Sequence, residues 1–326
     1  MFAEKTELVD CKEPQQMSHL SRESAAMALL FGCLLVVGSA SADDWTKYEN
    51  TYFEAYSDAS RRSVARDLEE LENFRAASAQ FLAFQTPDDA PKARVLIYRS
   101  AEDMAEVTGN RSIRSFMTSI DGTPYIVMQS GARGDWTKSS VRHEMIHVLL
   151  RYNPHRLPPW YREGIAEFMS STEFRDGDTK FTIGNPIDRE IVRAPPIPWD
   201  ELMDDDFRFH TPETAPGISN ARRQAWQLVH FLAIGNKFEH YDNLGKYLGR
   251  YSAGESSYEA LENAFGMTPQ QVGDLSAQSF EGAIPYYAIA FDEGIRDHDF
   301  MRTEADYEQI RPAIEVFKAR WGAERK

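Results

Sequence analysis

His143-Glu144-Met145-Ile146-His147 sets two imidazoles four residues apart with a carboxylate between them. If the surrounding 141–152 stretch is helical, both rings project from one face. Imidazoles so spaced can share one Zn2+, and Glu144 beside them can take a proton from water at that ion. Two protein ligands are too few for a catalytic zinc, which normally takes three and keeps a fourth position open. The chain offers candidates downstream: Glu163 and Glu167 lie four apart in a segment, Trp160 to Ser170, that reads as a second helix. One of these carboxylates can be the third ligand while the other accepts the free ring N–H of a liganding histidine and fixes its tautomer. Glu163 is assigned as the ligand and Glu167 as the partner of His143; the reverse assignment is the alternative.

Elements on either side must bring these groups together. Pro154, Pro158 and Pro159 end the first helix and reverse the chain, and Pro159 suits the first position of the second helix. Upstream, Tyr52–Tyr56 reads as a strand and Arg61–Phe84 as a long helix with Val64, Leu68, Leu71, Phe74 and Phe81 on one stripe. Arg94–Tyr98 then reads as a buried strand and Ala101–Thr108 as a short helix. Asp121-Gly122 is a turn signal before a strand at Tyr125–Met128. A short FTIG strand and the Asp176-Gly177-Asp178 turn follow the metal motif; that turn lacks the other ligands of a calcium loop. Helices are expected at Ala221–Ile234, Tyr241–Tyr251, Ser257–Ala264 (capped by Gly266) and Pro269–Phe280, with a late strand at Ile284–Phe291 and a terminal helix at Tyr307–Trp321. The expected fold is α+β: a mixed sheet with an edge strand packed on the HExxH helix, then a mainly helical C-terminal part. A soft boundary near 190–197 divides a 43–196 α+β unit from a 197–326 helical one.

HEMIHVLL followed by LPPWYREGIAEF resembles the gluzincin metallopeptidases, and more narrowly the peptidase-MA-like gluzincins found among secreted bacterial proteins. The resemblance covers about Trp45 to Phe280, with only the metal motif specific. It implies that the HExxH gives two ligands, that the aromatic-x-x-Glu-Gly-x-Ala helix gives the third, and that the strand before the HExxH helix is an edge on which extended substrate pairs. It also implies a Tyr, His or Arg from the C-terminal part as donor to the reaction oxyanion. Candidates are Tyr152, His155, His210, Arg222, Arg223 and His230; relatives tend to carry a Tyr about where Arg222 stands. Two departures matter. Only fifteen residues separate His147 from Glu163, a short spacing for the family, and Glu167 falls nearer the usual one. No Gly-x-Met-Glu-Asn-like segment precedes the HExxH, so the resemblance points to an endopeptidase rather than an aminopeptidase.

At 326 residues and 42% apolar the chain can build a substantial core. Residues 24–42 read as an apolar signal-peptide core ending in the cleavage site Ala40-Ser41-Ala42. The preceding residues are acidic for such a leader, and a start at Met17 or Met27 would give it a more ordinary beginning. Removing 1–42 takes away three basic and five acidic residues and moves the net charge from -15 to -13. So negative a protein repels phosphate backbones and anionic headgroups, which argues against nucleic-acid partners and, after cleavage, membrane partners. Both cysteines, Cys11 and Cys33, leave with the segment, so histidines and carboxylates remain as ligands. The expectation is a periplasmic or extracellular zinc peptidase acting on peptides or proteins. A zinc-containing binding or scaffold protein and a zinc hydrolase of a non-peptide bond are the alternatives; Glu144 argues against the first of these, since a binding site needs no base.

Overall fold

The computed structural model describes residues 6–8, 45–83, 87, 90–113, 115–131, 135–152, 155–185, 197–209 and 220–323. Residues 24–42, Pro154, the 190–196 stretch, His210, Pro212 and Pro216 therefore lie outside the described residues. The first half runs β1 (Thr6–Leu8), β2 (Thr46–Glu49), β3 (Phe53–Ser57), α1 (Arg61–Leu82), β4 (Ala93–Tyr98), α2 (Ala101–Thr108), β5 (Ser115–Ile120), β6 (Thr123–Gln129), α3 (Asp135–Arg151) and α4 (Pro159–Ser170). The second half begins with β7 (Phe174–Arg175), β8 (Lys180–Ile183), α5 (Trp199–Leu202) and α6 (Asn220–Phe238). It continues through α7 (Tyr241–Ser252), α8 (Ser257–Phe265), α9 (Pro269–Ser279), β9 (Tyr287–Ala290), β10 (Met301–Glu304) and α10 (Tyr307–Ala323). The fold is α+β. Among the described residues no helix is long and apolar enough to cross a membrane.

Six strands form a mixed sheet in the order β10-β2-β3-β4-β6-β5, and β1, β9, β8 and β7 form a smaller one. In the large sheet β3, β4 and β6 run parallel, while β2, β10 and β5 are antiparallel to their neighbours. Alternation along the strands sorts their side chains into two layers. Ala55, Val95, Ile97, Ile126 and Met128 share a core with α1 and α3, through Val64, Leu68, Phe74, Val141 and Met145. Tyr56, Leu96, Tyr98, Tyr125 and Val127 face the other way, onto Met104 and Val107 of α2 and Ile310, Ile314 and Phe317 of α10. Helices thus cover both faces, which is why Val95–Tyr98 reads as an unbroken apolar run. Elements from both sides of 190–197 share the larger core.

The expected edge strand is displaced by one position. Tyr125–Met128 belongs to β6, which is hydrogen-bonded on both sides, parallel to β4 and antiparallel to β5. Asp121 and Gly122 take φ of 49° and 81°, the left-handed pair of a two-residue hairpin, and fold β5 back along β6. Among the described residues the edge beside α3 is therefore β5, which packs on that helix. Its Ser- and Thr-rich sequence, SFMTSI, lacks the apolar alternation that signals a strand.

Candidate metal centre

α3 begins earlier than its apolar pattern suggests, at Asp135, and carries His143 and His147 one turn apart near the middle. Arg142 anchors it from both sides: one guanidinium nitrogen pairs with Glu70 of α1 at 2.9 Å, and another donates to the Thr172 carbonyl just after α4. α4 starts with Pro158 as an extended cap and Pro159 in the first turn, the geometry proline favours. Trp160 is fully buried and donates Nε1–H to the Tyr247 hydroxyl at 2.9 Å, so it braces the turn against α7. Gly164 explains the glycine of the motif. A Cβ built there would lie 2.5 Å from the Ala225 carbonyl oxygen, so α4 and α6 cross in near-backbone contact.

These constraints bring three side chains to one point. A nitrogen from each of His143 and His147 and an oxygen from Glu163 lie within 4.8 Å of one another, the only such group of potential ligands among the described residues. The two Nε2 atoms are 3.0 Å apart; His143 Nε2 is 3.6 Å from Glu163 Oε2 and His147 Nε2 is 3.5 Å from Glu163 Oε1. Donors at zinc–ligand distances around a tetrahedral ion sit roughly 3.4 Å apart, which is the scale of each imidazole's approach to its nearer oxygen of the carboxylate. Two imidazoles and a carboxylate are also the donor set that zinc takes readily. Glu163 Oε2 is buried without an aligned hydrogen bond; His143 Nε2 lies 3.6 Å away and Arg222 Nε 3.3 Å away. A buried carboxylate oxygen with no aligned donor suits a cation, whether that guanidinium or an ion.

Glu167 lies beside the other ring nitrogen of His143, without the hydrogen bond expected between them. Its Oε1 is 3.3 Å from His143 Nδ1, and with the proton on Nδ1 the Nε2 lone pair faces the cluster. The contact lies off the line of a good hydrogen bond, and the buried Nδ1 has no aligned acceptor among the described residues. It is an electrostatic contact more than a directed one. Burial works against a charge on His143, but Glu167 and then Glu163 overcome it and move its pKa up. His147 goes the other way: burial, then the neighbouring His143, push it down to about 3, leaving it a neutral donor at pH 7. Burial disfavours ionised Glu163, yet His143, His147 and Arg222 together hold its pKa at about 2. Glu144, half-buried on α3, has its carboxylate close enough to act on His143.

Of the candidate oxyanion donors, only Arg222 meets this cluster among the described residues. Its Nε is 3.3 Å from Glu163 Oε2 and its Nη1 3.8 Å from Glu167 Oε1. Tyr152 lies just past the end of α3 and donates its hydroxyl to the Pro91 carbonyl at 2.6 Å. His155 is exposed, with Nδ1 3.2 Å from Ser252 Oγ on α7. Arg223 is half-buried on α6 and its buried Nε has no hydrogen-bond partner among the described residues. His230 lies two turns beyond Arg222, packed among Trp226, Phe168 and Phe280, with Nε2–H donated to the Pro285 carbonyl at 2.9 Å. His210 falls outside the described residues. The anchoring by Arg142 is invisible in the sequence, because its partners Glu70 and Thr172 lie 72 and 30 residues away. No protein-family model matches the chain, and no curated protein is significantly similar to it.

Proposed function

We propose that this chain is a zinc-dependent peptidase of the gluzincin kind, acting in the periplasm or outside the cell on internal bonds of extended polypeptide. The observation that carries this reading is the convergence of His143, His147 and Glu163, with Glu144 next to His143 on the same helix and acting on its charge. His143 and His147, through Nε2, and Glu163, through one oxygen, would hold the ion. Zinc bound there supplies Lewis acidity toward a carbonyl oxygen and toward water. Glu144 does the proton work, taking a proton from the attacking water and returning it to the leaving nitrogen. Glu167 keeps His143 turned with Nε2 inward.

The sheet edge supports a peptide over other substrates. Among the described residues β5 is the last strand of the large sheet, and it packs on the helix that bears the histidines. An extended chain can add to such an edge through main-chain hydrogen bonds. The test is hydrolysis of an unfolded protein and of long peptides by zinc-loaded wild type and Glu144→Gln. Wild type should cut, and Glu144→Gln should be slower by about 10²–10⁴-fold. Equal rates would remove Glu144 from the mechanism.

A further inference from the structure

Arg222 stands in the first turn of α6, three residues before Ala225, whose carbonyl meets Gly164; both therefore face α4. Its guanidinium reaches both acids of that helix, 3.3 Å from Glu163 Oε2 and 3.8 Å from Glu167 Oε1. The arginine side chain is 29% exposed, against 9% and 7% for the two carboxylates, so it brings its charge in from the rim. Two carboxylates buried side by side repel each other and lose hydration, and a guanidinium fork reaching both relieves both penalties. The same positive charge opposes a metal cation drawing on the same carboxylates. A donor to an oxyanion would instead direct its N–H groups toward the reacting carbonyl.

We propose that Arg222 is a positioning residue that holds Glu163 and Glu167 in their separate roles and lowers the affinity of the site for zinc. This rests on the zinc reading above. It makes the centre one whose metal exchanges, with Arg222 exchanging its hold on Glu163 for the ion's. The charge, rather than the exact shape of the side chain, sets the affinity.

The test is zinc affinity, by competition with a chromophoric chelator, for wild type, Arg222→Gln and Arg222→Lys at low and high salt. Urea unfolding of each protein after metal removal accompanies it. Arg222→Gln should bind zinc about tenfold more tightly or better, a gap that narrows in high salt, and should be the less stable protein once stripped. Arg222→Lys should stay near wild type in affinity. Equal or weaker zinc binding by Arg222→Gln overturns the proposal, and so does a turnover loss in both variants at unchanged affinity, which would make Arg222 an oxyanion donor. A folded wild type that takes up no zinc overturns the metal reading itself, a result distinct from equal binding by wild type and variant.

Discussion

Glu167 Oε1 lies 3.3 Å from Nδ1 of His143, while Nε2 of the same ring lies 3.0 Å from Nε2 of His147. One face of the imidazole is thus given to an acid on the next helix and the other to the cluster. Without the acid, the ring loses the charge that favours the Nδ1–H tautomer. Glu167→Ala should therefore weaken zinc binding by about 10–100-fold while the protein stays folded. Chelator competition measures this, and an unchanged affinity would show that Glu167 does not orient His143.

Gly164 and Gly245 make a paired test of packing. Alanine at 164 would press its Cβ onto the Ala225 carbonyl and Val229 and should cost about 1–3 kcal/mol. Gly245, exposed within α7, has nothing within 4 Å of an added Cβ. Gly245→Ala should stabilise by about 0.5–1 kcal/mol. Urea denaturation of both variants checks the opposite signs.

His230 should make stability fall in acid. Burial, opposed by the Pro285 and Gly184 carbonyls, lowers its pKa from 6.5 to about 4. Above pH 6.5 both the folded and unfolded chains carry it neutral, so it contributes nothing there. As pH falls from 6.5 toward 4 the unfolded chain takes up a proton that the folded one refuses, at a cost approaching roughly 3 kcal/mol. Wild type should thus lose stability relative to His230→Gln between pH 7 and pH 4.5. A pH-independent difference would contradict this.

The Tyr247 hydroxyl accepts from Trp160 Nε1 at 2.9 Å and lies 2.7 Å from Ser257 Oγ, all in buried surroundings. Tyr247→Phe leaves the indole N–H without its acceptor and should cost about 1–3 kcal/mol. Thermal unfolding reads the loss.

Local signals carried much of this structure. Pro159 does open α4; Gly266 caps α8 with φ of 66°; and α6 loses helical geometry at Gly235, one residue past its expected end at Ile234. The His143, His147 and Glu163 cluster was equally legible, since one helical turn and one proline break determine it. Pairings between distant segments were not. β10 adds to β2 from more than 250 residues away, and its MRTE, exposed at every position, has no apolar alternation to announce a strand. The edge was misplaced for a related reason: β6 is apolar enough to be seen, while β5, which shields it, is polar. Arg222 read as one of several cations; only the close crossing at Gly164 shows that it faces α4.

The most direct test of the central claim is metal analysis after zinc loading and desalting, on wild type, Glu144→Gln and the double variant His143→Ala/His147→Ala. About one zinc per chain is expected in wild type and Glu144→Gln, and none in the folded double variant. Zinc retained equally by the double variant, or absent from folded wild type, would contradict the proposed centre.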